Sequence, residues 1–325
     1  MNAIILAGGY ATRLWPITKN KPKPLLPLAG KPILSYILDE LEEIEQIKKI
    51  YITTNERFED SFNKYIEGRE KDKYELIIEK QKSEEEKYGA IGGIINALEL
   101  SEKTDHLVIG GDNYYSFEIK KFIELCTKKE KLVNACFEVG SLEEAKNYGI
   151  VNFDQNKRMI DFQEKPEEPK SKMASTAFYY FPENIMDVFD EYTGYWEGKI
   201  SKVKYLDEPG RFLDWASERY DCYAYPFTGI WADVGTRQGY LRAEEEVKES
   251  NQQDRIIRGK TIDSKIEENT TILEGSNIVN STIEGSIIFK NTTIKNAVIK
   301  DSIVDENTEI EDLELREGLV SSIDN

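Results

Sequence analysis

The chain has 325 residues, with 43 lysines and arginines against 61 aspartates and glutamates, and its formal net charge is −18. So strong a negative charge repels phosphate backbones and argues against a nucleic-acid partner. Hydrophobic residues make up 39% of the sequence, enough for a globular protein with a core and room for two domains.

The first segment, NAIILAGGYATR, predicts a strand that ends in a phosphate-binding turn. Small residues at Gly8, Gly9 and Ala11 allow backbone amides to face a phosphate chain. No Asp or Glu occurs between Met1 and Leu38, and a local cation excess in an acidic protein indicates a site for a multiply charged anion. A run of solvated lysines is an equally weighted alternative. The five cationic residues of this segment are Arg13, Lys19, Lys21, Lys23 and Lys31.

Strand and helix patterns alternate from residue 1 to about residue 125. Apolar residues at helical spacing in PILSYILDELEEIEQI predict a helix after the turn, and KKIYITTN predicts the next strand. The pattern continues through YELIIEKQ, GAIGGIINALEL and HLVIGGDN. Such alternation predicts an α/β fold with parallel strands, which bind ligands beyond their carboxyl ends. LAGGYATR and GGDN both occupy that position.

Two further regions follow. YGIVNFDQNKRMIDFQEKP predicts a hairpin, CYAYPFTGIWADVGT predicts strand, turn and strand, and RQGYLRAEEEVKES predicts a helix before the linker ESNQQD. From Ile256, aliphatic residues recur every five or six positions between Asn, Thr, Ser and Gly. This period predicts a short β-helix rather than a sandwich, in which alternation would have period two. The expected domains are residues 1–250 and 256–325.

These motifs resemble the sugar-1-phosphate nucleotidyltransferases. LAGGxxTRLWPIT with KPKPLLPLAGKPIL is followed in order by GDN, YGIV, EKP, STAFYY and WADVGT. The resemblance covers nearly the whole chain. It implies a Rossmann-like domain with a mixed, mainly parallel sheet and a C-terminal left-handed β-helix. One departure is Ala11, where the family usually has a glycine that permits positive φ.

The resemblance also implies the site residues. Catalytic roles are expected for Arg13, Lys23, Asp112 and Lys165. Nucleotide contacts are expected from Leu6, Ala7, Gly8, Gly9, Thr12, Gln81, Gly89 and Gly111. Sugar contacts are expected from Tyr148, Gly149, Glu164, Thr176 and Trp231, and magnesium ligation from Asp112 and Asp233.

Each assignment has a structural alternative. Asp112 is also placed to cap a helix, Asp233 to form a turn, and Trp231 to fill a core. Lys19 and Lys21 are expected to be solvated, and the lone histidine, His106, is expected to be structural. The implied reaction needs no general base, because the attacking sugar phosphate is already an anion, but it needs charge neutralisation and alignment. Mg²⁺, which takes carboxylates together with substrate phosphates, is the expected cofactor.

The resemblance favours glucose 1-phosphate with dTTP as substrates, with UTP as a close alternative and mannose 1-phosphate with GTP as a more distant one. A second activity of the β-helix as an acyltransferase is disfavoured, because no histidine follows residue 106. A non-catalytic sugar-nucleotide sensor remains a third hypothesis.

No leader-like or membrane-spanning apolar run is evident, and Cys126, Cys136 and Cys222 lack metal spacing. A cytoplasmic homo-oligomer, assembled through the β-helix, is therefore expected.

Overall fold

A computed structural model of the protein describes residues 1–79 and 89–322. The chain divides into two compact units, each built from several segments. The first unit contains Met1–Gly8, Leu38–Gly111 and Ser116–Trp231. The second contains Gly9–Ile37, Asp112–Tyr115 and the chain from Ala232 onward.

A nine-stranded mixed sheet forms the centre of the first unit. Its strands are β1 (Asn2–Leu6), β4 (Ile50–Asn55), β5 (Tyr74–Glu79), β6 (His106–Gly110), β8 (Leu132–Glu138), β9 (Gly149–Phe153), β10 (Met159–Glu164), β11 (Met173–Phe181) and β12 (Cys222–Phe227). The order is β10-β9-β11-β6-β1-β4-β5, and β8 joins β11 to β12. Strands β6, β1, β4 and β5 are parallel, whereas β11 is antiparallel to β6.

Helices alternate with these strands because apolar residues recur at helical spacing between them. The helices are α1 (Ile33–Glu43), α2 (Glu59–Ile66), α3 (Gly89–Leu100), α4 (Ile119–Lys129), α5 (Leu142–Ala145), α6 (Val188–Trp196), α7 (Lys202–Asp207), α8 (Pro209–Ser217) and α9 (Arg237–Ser250). The main core of the first unit joins strand residues such as Ile4, Ile77 and Val108 to helix residues such as Ile94 and Phe212.

Short strands make up most of the regular secondary structure of the second unit. The pair β2 (Pro27–Leu28) and β3 (Lys31–Pro32) is antiparallel, and β7 (Asn113–Tyr115) pairs with β13 (Trp231–Asp233). Three parallel sheets follow, with orders β14-β17-β20-β23-β26, β15-β18-β21-β24 and β16-β19-β22-β25. Their strands are β14 (Ile256–Ile257), β15 (Lys260–Ile262), β16 (Lys265–Ile266), β17 (Thr271–Ile272), β18 (Asn277–Val279), β19 (Thr282–Glu284), β20 (Ile287–Ile288), β21 (Thr293–Lys295), β22 (Val298–Lys300), β23 (Ile303–Val304), β24 (Glu309–Glu311), β25 (Glu314–Arg316) and β26 (Leu319–Val320).

This last segment is a left-handed β-helix in which each coil contributes one strand to each sheet. Ile272, Ile288 and Val304 are in register on one sheet, sixteen residues apart, and belong to the interior cluster. The corners need left-handed backbone, which short polar residues and glycine tolerate best. Asn280 and Asn296 have φ of 47° and 48° and are linked by a side-chain hydrogen bond of 2.8 Å. The five- or six-residue period thus corresponds to a three-sided coil.

The structure confirms the predicted fold class, including the β-helix. The predicted strand, turn and strand of CYAYPFTGIWADVGT are also present as β12 and β13, of which β12 lies beside β8 and β13 beside β7. The predicted domain boundary falls between the end of α9 at Ser250 and the start of β14 at Ile256. Among the described residues, no helix combines the length and apolar character needed to cross a membrane.

Candidate functional site

In the second unit, two predicted metal ligands both contact one lysine. Lys23 Nζ lies 2.8 Å from Asp112 Oδ2 and 2.9 Å from Asp233 Oδ1. The lysine side chain is only 7% exposed, whereas the two carboxylates are 37% and 35% exposed. Asn113 Nδ2 also donates to Asp112 Oδ1 at 2.9 Å, so both oxygens of that carboxylate are held.

Local structure explains how these distant residues meet. Lys23 begins a single 3-10 turn, Lys23–Leu25, after Pro22, and proline at the second position of the turn restricts its backbone. Asp112 directly precedes β7 and Asp233 ends β13, and these two strands are hydrogen-bonded neighbours. Pairing of β7 with β13 therefore places the two aspartates side by side.

The charge states of this cluster support one another. Burial tends to lower the pKa of Lys23, but Asp112 and Asp233 outweigh it and raise the pKa above its ordinary value. Burial likewise tends to raise the pKa of Asp112, but the Lys23 ammonium outweighs it, and the pKa of that carboxyl is lowered. The lysine therefore stays protonated and Asp112 stays ionised near neutral pH.

Arg13 and the glycine-rich turn belong to the same unit. A Cβ added at Gly235 would lie 3.2 Å from an Arg13 guanidinium nitrogen and 3.2 Å from Asp233 Oδ2, so glycine leaves room between these two charged groups. Ala11 adopts the left-handed conformation with φ of 47° and ψ of 45°. Its carbonyl accepts from the Thr18 hydroxyl at 2.8 Å, which stabilises the turn although alanine rarely adopts this conformation.

The chemistry of this cluster fits magnesium. Within residues 1–79 and 89–322 there is no group of three or more His, Cys, Asp or Glu residues placed to hold a metal by themselves. Mg²⁺ needs fewer protein ligands, because substrate phosphates and waters complete its octahedron. Asp112 and Asp233 present oxygens to a common point, which at present holds the Lys23 ammonium. The two aspartates would supply the protein ligands.

The other described residues predicted to contact the nucleotide in the first unit lie next to strand ends or at the start of a helix. Leu6 ends β1, and its carbonyl accepts from the Gly111 amide at 2.9 Å. Gly89 begins α3 with φ of 73°, and a Cβ there would lie 2.4 Å from the Leu206 carbonyl oxygen, so both conformation and space require glycine. Gln81, the predicted base contact, lies outside the described residues.

Two polar residues at these strand ends were not predicted. Asn55 ends β4 and Glu79 ends β5, and they are partners in the parallel register. Asn55 Nδ2 donates to the Gly8 carbonyl at 2.9 Å, and Glu79 Oε1 lies 2.8 Å from where a Cβ would stand at Gly93. Both residues are buried. In the sequence, the feature that could have identified Asn55 and Glu79 is their position near the ends of the predicted strands KKIYITTN and YELIIEKQ.

The predicted sugar residues form a separate group in the first unit. The rings of Tyr148 and Trp231 have centroids 4.9 Å apart, and Trp231 is 8% exposed. Glu164 pairs with Gly149 across the β9–β10 hairpin. A Cβ at Gly210 on α8 would lie 1.7 Å from Glu164 Oε2, so glycine is needed for the carboxylate to lie where it does.

Desolvation raises the pKa of Glu164, and the neighbouring Lys165 opposes the rise. Lys165 itself has φ of 43°, an uncommon conformation for a lysine, and its amide donates to the Tyr148 carbonyl at 3.1 Å. Residues held in such conformations are often found at functional sites. Thr176 differs from this group, since it is fully buried and its hydroxyl donates to the Ala135 carbonyl at 2.8 Å.

The expectation that Lys21 is simply solvated was wrong. Its ammonium lies 3.1 Å from Asp305 and 3.0 Å from Glu306, and its side chain is 19% exposed. It also lies 5.1 Å from the centroid of the Phe289 ring, a cation–π distance. Lys21 therefore links the N-terminal segment to the β-helix within the second unit.

The fold and these residues define an α/β protein with candidate ligand groups at the carboxyl ends of parallel strands. The model of the Nucleotidyl transferase family matches residues 2–250. The chain belongs to that family, which confirms the resemblance found in the sequence.

Individual relatives agree with this assignment. The bifunctional protein GlmU of Methanocaldococcus jannaschii is 29% identical over 276 residues, covering 84% of this chain and 59% of the relative. A protein of Sulfolobus acidocaldarius, provisionally named mannose-1-phosphate guanyltransferase, is 28% identical over 248 residues, covering 76% and 63%. The chain thus spans about 59–63% of the length of these relatives.

A solved structure is also similar. It is a crystal structure of a Bacillus anthracis protein, provisionally named glucose-1-phosphate thymidylyltransferase, in complex with sucrose. The sequences are 27% identical and the TM-score is 0.64, with 75% of this chain and 94% of the other covered.

Proposed function

We propose that the protein transfers a nucleoside monophosphate from a nucleoside triphosphate to a sugar 1-phosphate and releases pyrophosphate. The observation that carries the proposal is the convergence of Asp112 and Asp233 on the buried Lys23 ammonium. Two carboxylates and a fixed cation in a family of nucleotidyl transferases suit the handling of a metal-bound triphosphate. We assign this role to the predicted domain of residues 1–250.

In the proposed reaction, a phosphate oxygen of the sugar 1-phosphate attacks the α-phosphorus. A new P–O bond forms to the sugar phosphate as the α–β P–O bond breaks, and pyrophosphate leaves with the bonding electrons. The attacking oxygen needs no deprotonation near neutral pH. His106 fits this scheme as a structural residue: burial lowers its pKa to about 4, and its ring bonds Thr104 and Ser101.

The charged residues would then stabilise the transferring group. Arg13 and Lys23 would neutralise negative charge that develops on the α-phosphate and the leaving pyrophosphate. Magnesium, held by Asp112 and Asp233, would add further charge neutralisation. Glu164 would accept hydrogen bonds from sugar hydroxyls, and Lys165 would bind the phosphate of the sugar.

The substrate pair favoured by the family resemblance is glucose 1-phosphate with dTTP. The names of the similar proteins do not agree on one base, since one is a guanyltransferase and another a thymidylyltransferase. The first experiment is therefore a matrix of GTP, dTTP, UTP, ATP and CTP against glucose 1-phosphate, mannose 1-phosphate and amino-sugar 1-phosphates. Pyrophosphate release is measured with Mg²⁺ and with EDTA.

We expect Mg²⁺-dependent release, and a loss of about 10²-fold or more in turnover for Asp112→Asn and Asp233→Asn. Asp60→Asn, at an exposed position of α2, is the matched control and should behave as the wild type. Folded protein that releases no pyrophosphate with any pair would contradict the proposal. Nucleotide binding without turnover would instead support a sensor.

A further inference from the structure

One outward position of the β-helix holds a buried acid. Ile288 and Val304 are register partners in the interior cluster. The residues that follow them, Phe289 and Asp305, therefore point outward, because successive side chains of a strand alternate. They are nevertheless only 1% and 5% exposed, and Leu273, at the same position of the preceding coil, is 1% exposed. Asp305 thus places a carboxylate where the two preceding coils carry apolar side chains, and a buried charge needs a partner.

The β-helix fixes this carboxylate and presents it to one ammonium. Asp305 Oδ1 accepts from the Glu306 amide at 2.8 Å, and its Oδ2 accepts from the Ser321 hydroxyl at 3.0 Å. The Lys21 ammonium donates to the same Oδ1 at 3.1 Å. It also lies 3.0 Å from Glu306 Oε2 and 5.1 Å from the centroid of the Phe289 ring. Three side chains of the β-helix therefore hold the end of Lys21.

Only Pro22 separates Lys21 from Lys23. Two residues of extended chain span at most about 7 Å, so a fixed Lys21 limits where the backbone of Lys23 can lie. Pro22 has φ of −68° and ψ of 138°, and its ring restricts φ further. Its carbonyl accepts from the Leu25 amide at 3.0 Å, which joins Pro22 to the 3-10 turn that Lys23 begins. The β-helix contact is therefore transmitted to Lys23 through a stiff connection.

Lys23 needs such support because its own ion pairs change when substrate binds. Its ammonium contacts Asp112 and Asp233, and a second contact with a substrate phosphate requires it to leave one of these carboxylates. The lysine stem has four rotatable carbons and does not fix the ammonium by itself. A displacement of about 1 Å in a group that aligns reacting atoms can lower the rate about 10²-fold. The contact of Lys21 with Asp305 does not depend on the two carboxylates and can persist through this exchange.

We propose that Asp305 is a positioning residue for nucleotidyl transfer, which holds the Lys21 ammonium and thereby sets the place of Lys23. This inference rests on the proposed function and gives the β-helix a part in the reaction. Asp305 acts through Lys21 and is assigned no contact with a substrate. If the pair only stabilised the fold, its loss would lower stability and leave the turnover of the folded protein unchanged.

Steady-state pyrophosphate release by the full chain, with Mg²⁺ and the best substrate pair, tests the proposal. We expect kcat to fall about 10-fold in Asp305→Asn and in Lys21→Met, with each KM within about threefold, because Lys23 acts on charge that develops in the transition state. The double variant should be no slower than either single variant, since both remove the same contact. Asp312→Asn is the matched control, because Asp312 is an exposed corner residue of the β-helix that bonds Asn296, and its kcat should equal that of the wild type.

Urea unfolding gives a second measurement that needs no turnover. Independent substitutions multiply the unfolding equilibrium constant to within about twofold. If Asp305 positions Lys23, the effect of Asp305→Asn on this constant should be at least about threefold smaller in the Lys23→Met background than in the wild type. Asp312→Asn should have the same effect in both backgrounds. Should Asp305→Asn fail to fold, Lys21→Met takes its place in both experiments, since it leaves the β-helix unaltered.

The outcomes separate this proposal from the proposed function. Unchanged kcat in Asp305→Asn and Lys21→Met, or independent effects of Asp305→Asn and Lys23→Met on unfolding, would overturn the positioning role and leave the transferase in place. If the folded wild type releases no pyrophosphate with any pair, the proposed function fails. The unfolding measurement then decides alone: coupling between Asp305 and Lys23 supports the positioning of Lys23 by the β-helix, and independence overturns it.

Discussion

Replacing Lys23 with methionine removes the charge at the centre of the carboxylate cluster and keeps most of the length of the side chain. In the wild type, one ammonium makes two short ion pairs, at 2.8 and 2.9 Å, from a position that is 7% exposed. In Lys23→Met, Asp112 and Asp233 lose their shared cation and repel each other. We expect the free energy of unfolding at pH 7 to fall.

The size of the effect follows from the two contacts. A hydrogen bond to a charged group contributes about 1.5–3 kcal/mol, but both carboxylates are more than a third exposed and solvent screens them. Loss of the lysine also removes the cost of burying its charge. We therefore expect a net loss of about 2 kcal/mol. Lys172→Met, which removes a surface pair with Glu138, should cost less than about 1 kcal/mol.

Urea unfolding as a function of pH checks both the size and the origin of this loss. The pKa of Asp112 is lowered in the folded protein, so its contribution is present above the unfolded value of about 3.9 and disappears as the pH falls through the folded value. The pKa of Lys23 is raised, so its contribution is present below about pH 10.4 and disappears as the pH rises through its folded value. The difference between wild type and variant should be largest between these limits.

Magnesium provides an independent arm of the same experiment. In Lys23→Met, Mg²⁺ can occupy the point between the two carboxylates without displacing an ammonium, and binding to the folded state raises stability by mass action. We expect millimolar Mg²⁺ to stabilise the variant more than the wild type. A loss below about 0.5 kcal/mol, unchanged by acidification, would refute the idea that the two ion pairs stabilise this cluster.

Two further substitutions test the first unit. Gly210→Ala places a Cβ 1.7 Å from Glu164 Oε2 and should raise the KM for the sugar 1-phosphate about 10-fold, while the KM for the nucleotide stays within about twofold. Gly194→Ala, whose Cβ would meet nothing within 4 Å, is the control. Equal kinetics in both variants would contradict the role of Glu164. Thr176→Val removes the hydrogen bond to the Ala135 carbonyl and should lower the free energy of unfolding in urea by about 1 kcal/mol without changing the kinetics. A raised KM for the sugar 1-phosphate would instead assign Thr176 to the sugar site.

Much of the fold could be predicted because it depends on local periodicity. In the β-helix, the strands send aliphatic residues inward, as at Ile278, Ile283 and Ile288, and this repeats along the sequence. The left-handed corners also leave a mark, since Asn296 and Asp301 occupy them with φ of 48° and 47°. Both features are properties of single coils and need no knowledge of distant contacts.

Pairing between distant strands could not be predicted in the same way. The sequence predicts strand, turn and strand for the stretch that contains β12 and β13, but it does not indicate that β12 lies beside β8. Strand propensity shows that a segment is extended but does not identify its partner. The same limit applies to the site: Asn55 and Glu79 are 24 positions apart, and only the register of β4 with β5 brings them together.

The acid-free N-terminal segment shows why local charge patterns need the fold for their interpretation. Lys23 and Lys21 both belong to this cationic stretch, yet each is already paired with two acids from far along the chain. The positive charge of these two lysines is therefore compensated in the folded protein. The Lys23 ammonium has three N–H donors and two of them face carboxylates, so more than one contact with a substrate phosphate requires exchange of a carboxylate for phosphate oxygens. Because magnesium would compete for those same carboxylates, metal and nucleotide should release Lys23 together, and this couples metal binding to nucleotide binding.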